Sequence, residues 1–201
     1  MFDNHARVRV QQLFEMAEIF GFESRNRYRV LDDRQRPLAY AAEQGSGLFG
    51  TLSRQLFGHW RRFDIHLFSP ERQPLLTAHH PFRWWLQRLE VSEASGRKLG
   101  AVQQRFALLH RRFNIEDERG RVLMTVASPL WRLWTFPVQR QGREVARISK
   151  RWSGGLTELF TDKDNFVVEY SDPALDNRSR SLLLMATLFI DLQYFENKAG
   201  D

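Results

Sequence analysis

Asp176 to Phe195 reads DNRSRSLLLMATLFIDLQYF, and the fold turns on what surrounds this stretch. Leu182 through Ile190 is apolar apart from Thr187, and Leu192, Tyr194 and Phe195 carry the apolar character past Asp191 and Gln193. Wound at 3.6 residues per turn, the run is greasy on every side, so lipid or protein must enclose it. Length decides between the two. A membrane span needs about 20 apolar residues, whereas Leu182 to Phe195 supplies fourteen positions with a carboxylate among them. We read a central helix over 176–196, buried in the protein and N-capped by Asp176. An ionised Asp191 in such a helix needs a partner, expected to be an arginine of the surrounding wall, or else an exposed position.

Upstream, one unit recurs: an alternating apolar run, a polar turn, and a second alternating run. Tyr28–Ala42 turns through Asp32 to Pro37, and Phe63–Ala78 through Ser69 to Pro74. Units beginning at Leu89 and Arg111 turn at Ala94-Ser95-Gly96 and at Asp117 to Gly120, and one from Phe136 turns at Gln141-Gly142. Phe166-Val167-Val168-Glu169-Tyr170 makes a last strand. A meander of hairpins ending in a helix apolar all round predicts a closed antiparallel β-barrel over 26–171, built about that helix as one domain. The phrases HWRRF at 59–63 and HRRF at 110–113, each followed by a Pro and a Trp pair, suggest an internal duplication. Val10, Leu13, Phe14, Ala17 and Phe20 fall at helical spacing, so 5–20 reads as a short amphipathic N-terminal helix.

The chain has no cysteine, so disulfides, thiol nucleophiles and palmitoylation are excluded. Its six histidines show no ligand spacing and no serine sits in a hydrolase motif, so no catalytic site for covalent chemistry is expected. The N-terminal residues lack a secretory pattern, and the expected location is cytoplasmic. Net charge is +6, and Lys98, Lys150, Lys163 and Lys198 are the only lysines, so arginine carries the basic character. Arginine's planar fork suits phosphate, which leaves anionic phospholipid and nucleic acid both open as partners. Arg61, Arg62, Arg111, Arg112, Lys150 and Arg151 adjoin hairpin starts, where closure of a barrel would gather them at one rim. Trp84, Trp85, Trp131 and Trp134, beside arginines, have the composition of a membrane-interface belt. One ring of each pair is expected to pack inward.

Several phrases together resemble the phospholipid scramblase family. They are RISKRWSG (147–154), ELFTDKDNF (158–166), Leu175-Asp176, Phe189-Ile190-Asp191 and Phe195-Glu196, with QQLFE (11–15), GFE (21–23), NRY (26–28) and YAAE (40–43) on the N-terminal side. The likeness runs from about Val8 to Glu196. It implies a Tubby-like fold, a barrel of about twelve strands threaded by the C-terminal helix. It also implies calcium-stimulated, bidirectional movement of phospholipid between leaflets, and peripheral attachment at the inner face of a membrane. The family's calcium loop corresponds here to Asp162, Asp164, Asn165 and Glu169, with Asp172 beyond. Relatives carry a palmitoylated cysteine cluster where this chain has Phe82-Arg83-Trp84-Trp85, so attachment here falls to arginine and tryptophan. The rival reading is a soluble module that meets nucleic acid or a protein partner through its arginine-rich face.

Overall fold

The computed structural model describes residues 2–3, 5–13, 24–45, 62–131, 134–151 and 165–195. Twelve strands follow one another: β1 (Arg7–Leu13), β2 (Ser24–Leu31), β3 (Pro37–Gly45), β4 (Phe63–Phe68), β5 (Pro74–His80), β6 (Arg88–Glu93), β7 (Lys98–Arg105), β8 (His110–Asp117), β9 (Val122–Pro129), β10 (Thr135–Arg140), β11 (Arg143–Arg151) and β12 (Asn165–Tyr170). Each pairs antiparallel with its neighbour in sequence, and β1 pairs with β12, with Val10 opposite Phe166, so the sheet closes into a barrel. Closure leaves no sheet edge unpaired.

The helix α1 (Asn177–Tyr194) lies inside, and every residue from Ser179 to Leu192 is buried. Asp176 caps it as expected, its carboxylate accepting from the Ser179 N–H at 2.8 Å. Inward-facing residues of the wall, among them Val8, Val30, Ile65, Val91, Ile115, Val126 and Ile148, meet the helix in a single core. Gly100 marks a close approach. A Cβ there would stand 2.1 Å from the Glu116 carbonyl oxygen and 3.2 Å from Leu182 of the helix. Phe2 and Arg180 seal the helix's first turn. The guanidinium donates to the carbonyls of Leu175, Phe2 and His5 and lies over the Tyr170 ring.

One expectation fails here. Arg7–Leu13 is a strand, not part of a helix over 5–20. Val8 and Val10 are buried while Arg7 and Arg9 face out, so a period of two prevails over the helical spacing. Pairing on both sides, with β2 and β12, supplies the hydrogen bonds a local helix would have made. Residues 14–23 lie outside the described residues.

The even-numbered turns are tight. In 32–36, 69–73, 93–97 and 117–121 the first residue's N–H bonds the fifth residue's carbonyl, and its own carbonyl receives the fourth residue's N–H. The fourth position is left-handed each time, at Gln35, Arg72, Gly96 and Gly120, as a three-residue hairpin loop with a bulge requires. The turns at Ser69 and Asp117 stand 48 residues apart, whereas Phe63 and Phe113 differ by 50. The offset of two preserves the pleat, so both phenylalanines point inward.

Burial by itself pushes the Asp117 carboxyl up, but bonds from the Arg121 N–H, the Arg121 guanidinium and the Arg119 N–H outweigh it and hold the pKa below the usual carboxylate value. A depressed folded pKa stabilises fully above the unfolded value of about 4 and loses its effect as pH falls through the folded value. Asp117→Asn should therefore flatten the acid limb of the stability curve below about pH 4, measured by urea unfolding at stepped pH. Gly100→Ala should destabilise by about 3 kcal/mol, read as a thermal midpoint lower by roughly 6–12 °C.

Candidate functional site

In an antiparallel meander, alternate connections share an end. The connections 81–87 and 106–109 and residues 130–131 therefore lie together, opposite the tight turns, and the helix ends there too. Tyr194 packs edge-on against Phe113 with centroids 6.0 Å apart, and Phe195 stacks on Trp134 at 5.4 Å. Hydrogen bonds knit this end into one surface. Gln103 Nε2 donates to the Leu86 carbonyl at 2.9 Å, Gln104 Nε2 to the Tyr194 hydroxyl at 3.3 Å, and the Leu130 N–H to the Leu109 carbonyl at 3.1 Å.

The surface is apolar. Phe82, Trp84, Trp85 and Leu86 of 81–87, Phe106, Leu108 and Leu109 of 106–109, and Leu130 and Trp131 of 130–131 are all exposed. Trp85 is 79% exposed, Leu108 80% and Trp131 70%. Among the described residues, Val122 is the remaining exposed large apolar side chain, and it lies at the opposite end. So many uncovered rings and leucines on one face mark an interaction site rather than scattered surface residues. Cations surround it. Arg62, Arg83, Arg105 and Arg112 are exposed at or beside these connections, and Arg111 lies half-buried with its guanidinium 4.5 Å from the Tyr194 ring centre.

The predicted tryptophans divide unevenly. Trp84 and Trp85 are both outward, because 81–87 has left the sheet and no pleat forces one ring inside. Trp131 is outward and Trp134 packs on the core. Phe106, Leu108 and Leu109 were not singled out by sequence reasoning. An apolar run of this length reads equally well as strand, and only its place in a connection exposes it.

Of the predicted basic residues, Arg62, Arg111 and Arg112 come to this end with Arg151, while Arg61 lies outside the described residues. Lys150 does not face out. It is 7% exposed, with its ammonium 4.0 Å from Asp191 and 3.9 Å from the Phe195 ring centre, and it approaches Phe166 and Trp134 as well. Asp191 also accepts from the Tyr28 hydroxyl at 2.8 Å. A wall lysine thus meets the helix carboxylate where an arginine was expected. Lys150 lies next to the outward Arg151, and the pleat sends adjacent residues to opposite faces. Breaking a buried pair by removing one partner costs about 3–5 kcal/mol. Lys150→Met should show a loss of that size in urea unfolding, and Lys150→Met/Asp191→Leu should lose less than the two single changes summed.

The predicted calcium ligands are spread along the chain. Glu169 faces the outer wall, paired in register with Arg7 and Arg147. Asp172 lies beyond the far end of β12, whose length from Asn165 to Tyr170 already spans about 17 Å, and its carboxylate accepts from the Ala174 N–H at 3.0 Å. Asp162 and Asp164 lie outside the described residues. Among the described residues no group of three or more His, Cys, Asp or Glu side chains could hold a metal ion.

Fold and site together define a barrel closed on an internal helix with one amphipathic end. A family model described as Scramblase matches residues 1–197, and the chain belongs to the scramblase family. It is similar to a phospholipid scramblase family protein of Schizosaccharomyces pombe, 31% identical over an alignment of 180 residues that covers 85% of this chain and 47% of that protein. It is similar also to phospholipid scramblase 2 of Bos taurus, 27% identical over 96% of this chain and 69% of the relative. Phospholipid scramblase 1 of Homo sapiens is 25% identical over 95% of this chain and 63% of its own length. The chain thus spans about half of the fission-yeast relative and under two thirds of the human one. No solved structure matches it.

Proposed function

We propose that this protein acts on phospholipid at a membrane surface, docking through the apolar end of the barrel with its arginines on the headgroups. The observation that carries the reading is the gathering of exposed aromatic and leucine side chains on three hydrogen-bonded connections at one end. Tryptophan rings suit the headgroup zone, the leucines of 106–109 reach deeper, and guanidinium groups beside them meet lipid phosphate. Surface action, not conduction through the barrel, follows from the packing. Ser179 to Leu192 fill the lumen without solvent exposure beyond a few per cent, so a headgroup finds no polar path inside. No helix among the described residues is long and apolar enough to cross a membrane. Movement of lipid between leaflets, the activity in the relatives' names, is proposed to arise from disturbance of the bilayer beneath the docked end.

Co-sedimentation with neutral and anionic vesicles tests the docking. Leu108→Ser/Leu109→Ser removes about 2 kcal/mol of apolar contact and should weaken partitioning about 30-fold, with the unfolding midpoint unchanged because both side chains are exposed. Trp84→Ala/Trp85→Ala should weaken it similarly. Unaltered vesicle binding in both variants would sink the proposal. Loss of duplex DNA binding alongside unaltered vesicle binding would favour the nucleic-acid reading instead.

A further inference from the structure

The barrel wall carries a second cationic feature, which shares only Arg151 with the docking end. On the outer face of β1, β12 and β11, Arg9 is paired in register with Val167, and Gln11 and Arg151 flank Asn165 from either side. Two strand spacings, about 9.6 Å, separate the backbones of Gln11 and Arg151. Between them opens a recess of about 360 Å³, bounded by Arg7, Arg9, Gln11, Gln35 and Arg151 and floored by Val167.

The charges in this recess are unbalanced. Arg7 is ion-paired with Asp33. Arg9 and Arg151 make no hydrogen bond or ion pair with any described residue. The Gln11 carbonyl is taken by the Arg29 guanidinium at 2.8 Å, which leaves the Gln11 amide NH2 as a donor. Glu169 stands outside the recess. Arginines converging on a concavity without counter-charges repel one another, and an anion between them relieves the repulsion. The larger recess at the tight-turn end, about 810 Å³, is the contrast. Its Arg97 is already paired with Glu93 and its Arg178 with Glu118.

The chemistry of the lining selects the anion. Guanidinium forks bond two oxygens of a tetrahedral phosphate at once, and Arg9 and Arg151 approach the recess from opposite sides. Among the described residues no aromatic ring lines it, so these offer no stacking platform for a nucleobase. We propose that this recess binds a compact, doubly charged phosphate group, with Arg9 and Arg151 as the principal ligands and Gln11 and Gln35 as neutral donors. Such a group comes either from a soluble phosphate compound or from a phosphate-monoester lipid head. The site stands apart from the docking reading, since it lies on the wall and uses none of the apolar residues.

Calorimetric titration of the whole chain with inorganic pyrophosphate at low salt tests it, with phosphatidic acid vesicles and phosphatidylserine vesicles of equal charge as a second arm. One saturable pyrophosphate site is expected, weakened about tenfold or more by Arg9→Gln and by Arg151→Gln and unchanged by Arg119→Gln in a tight turn. The midpoint of thermal unfolding in each variant verifies folding. A preference for phosphatidic acid that disappears in Arg9→Gln/Arg151→Gln assigns the lipid source, and pyrophosphate binding without that preference assigns the soluble source; both uphold the site. Absence of saturable pyrophosphate binding to the unaltered protein, or binding unchanged in both glutamine variants, overturns it. Unaltered vesicle binding by the leucine and tryptophan variants, which would sink the docking reading, leaves this titration untouched, so the two proposals fail separately.

Discussion

The burial of α1 is the constraint on which the rest of the structure depends. A helix with no polar face has to be enclosed. An open sheet would cover one side of it and leave two strand edges unpaired. Pairing β1 with β12 solves both problems together, because the same contact closes the wall and removes the edges. Small residues then set how close wall and helix come. Ala39, Ala41 and Gly100 lie on the wall, and at Gly100 the backbone of β8 and the side chain of Leu182 occupy the space a larger residue would need.

Closure by a meander also makes the two ends different. One end receives every tight turn, and each turn is pinned by short polar bonds such as those of Asp32 and Asp117 to their own loops. Among the described residues, Val122 is the one large apolar side chain exposed there. The other end receives longer connections, of which 81–87, 106–109 and 130–131 present rings and leucines outward. The helix runs between the ends, and polar anchors fasten it at both. Arg180 binds the chain's first residues at its start, and Lys150, Tyr28 and Asp191 meet near its finish. The carboxylate in the core sits close to the apolar end, where the helix leaves the enclosing wall.

Hairpins, turns and the internal helix were legible because they rest on local periodicity and turn chemistry. Each predicted turn, from Asp32 to Gln141-Gly142, falls between paired strands. The first strand was not legible. Arg-Val-Arg-Val at 7–10 alternates, but the apolar residues after it fit a helix better when read alone, and what decides is the presence of β2 and β12 on either side. The same limit applied to Lys150. Beside Arg151 it looked like half of a basic patch, and only its register against Phe166 shows that it points at the helix.

The sequence by itself determined the class of the fold: a run of short alternating hairpins and a helix greasy on all sides leave few arrangements that keep apolar surface from water. It determined the family as well, through motifs spaced along nearly the whole chain. The tertiary structure alone decided which residues share a surface. Phe82, Phe106 and Leu130 are far apart in the chain, and Arg9 and Arg151 are on strands from its two ends. The parity of an antiparallel meander unites the first group, and the closing β1–β12 pair unites the second. Both are properties of the closed sheet, which no local window of residues contains.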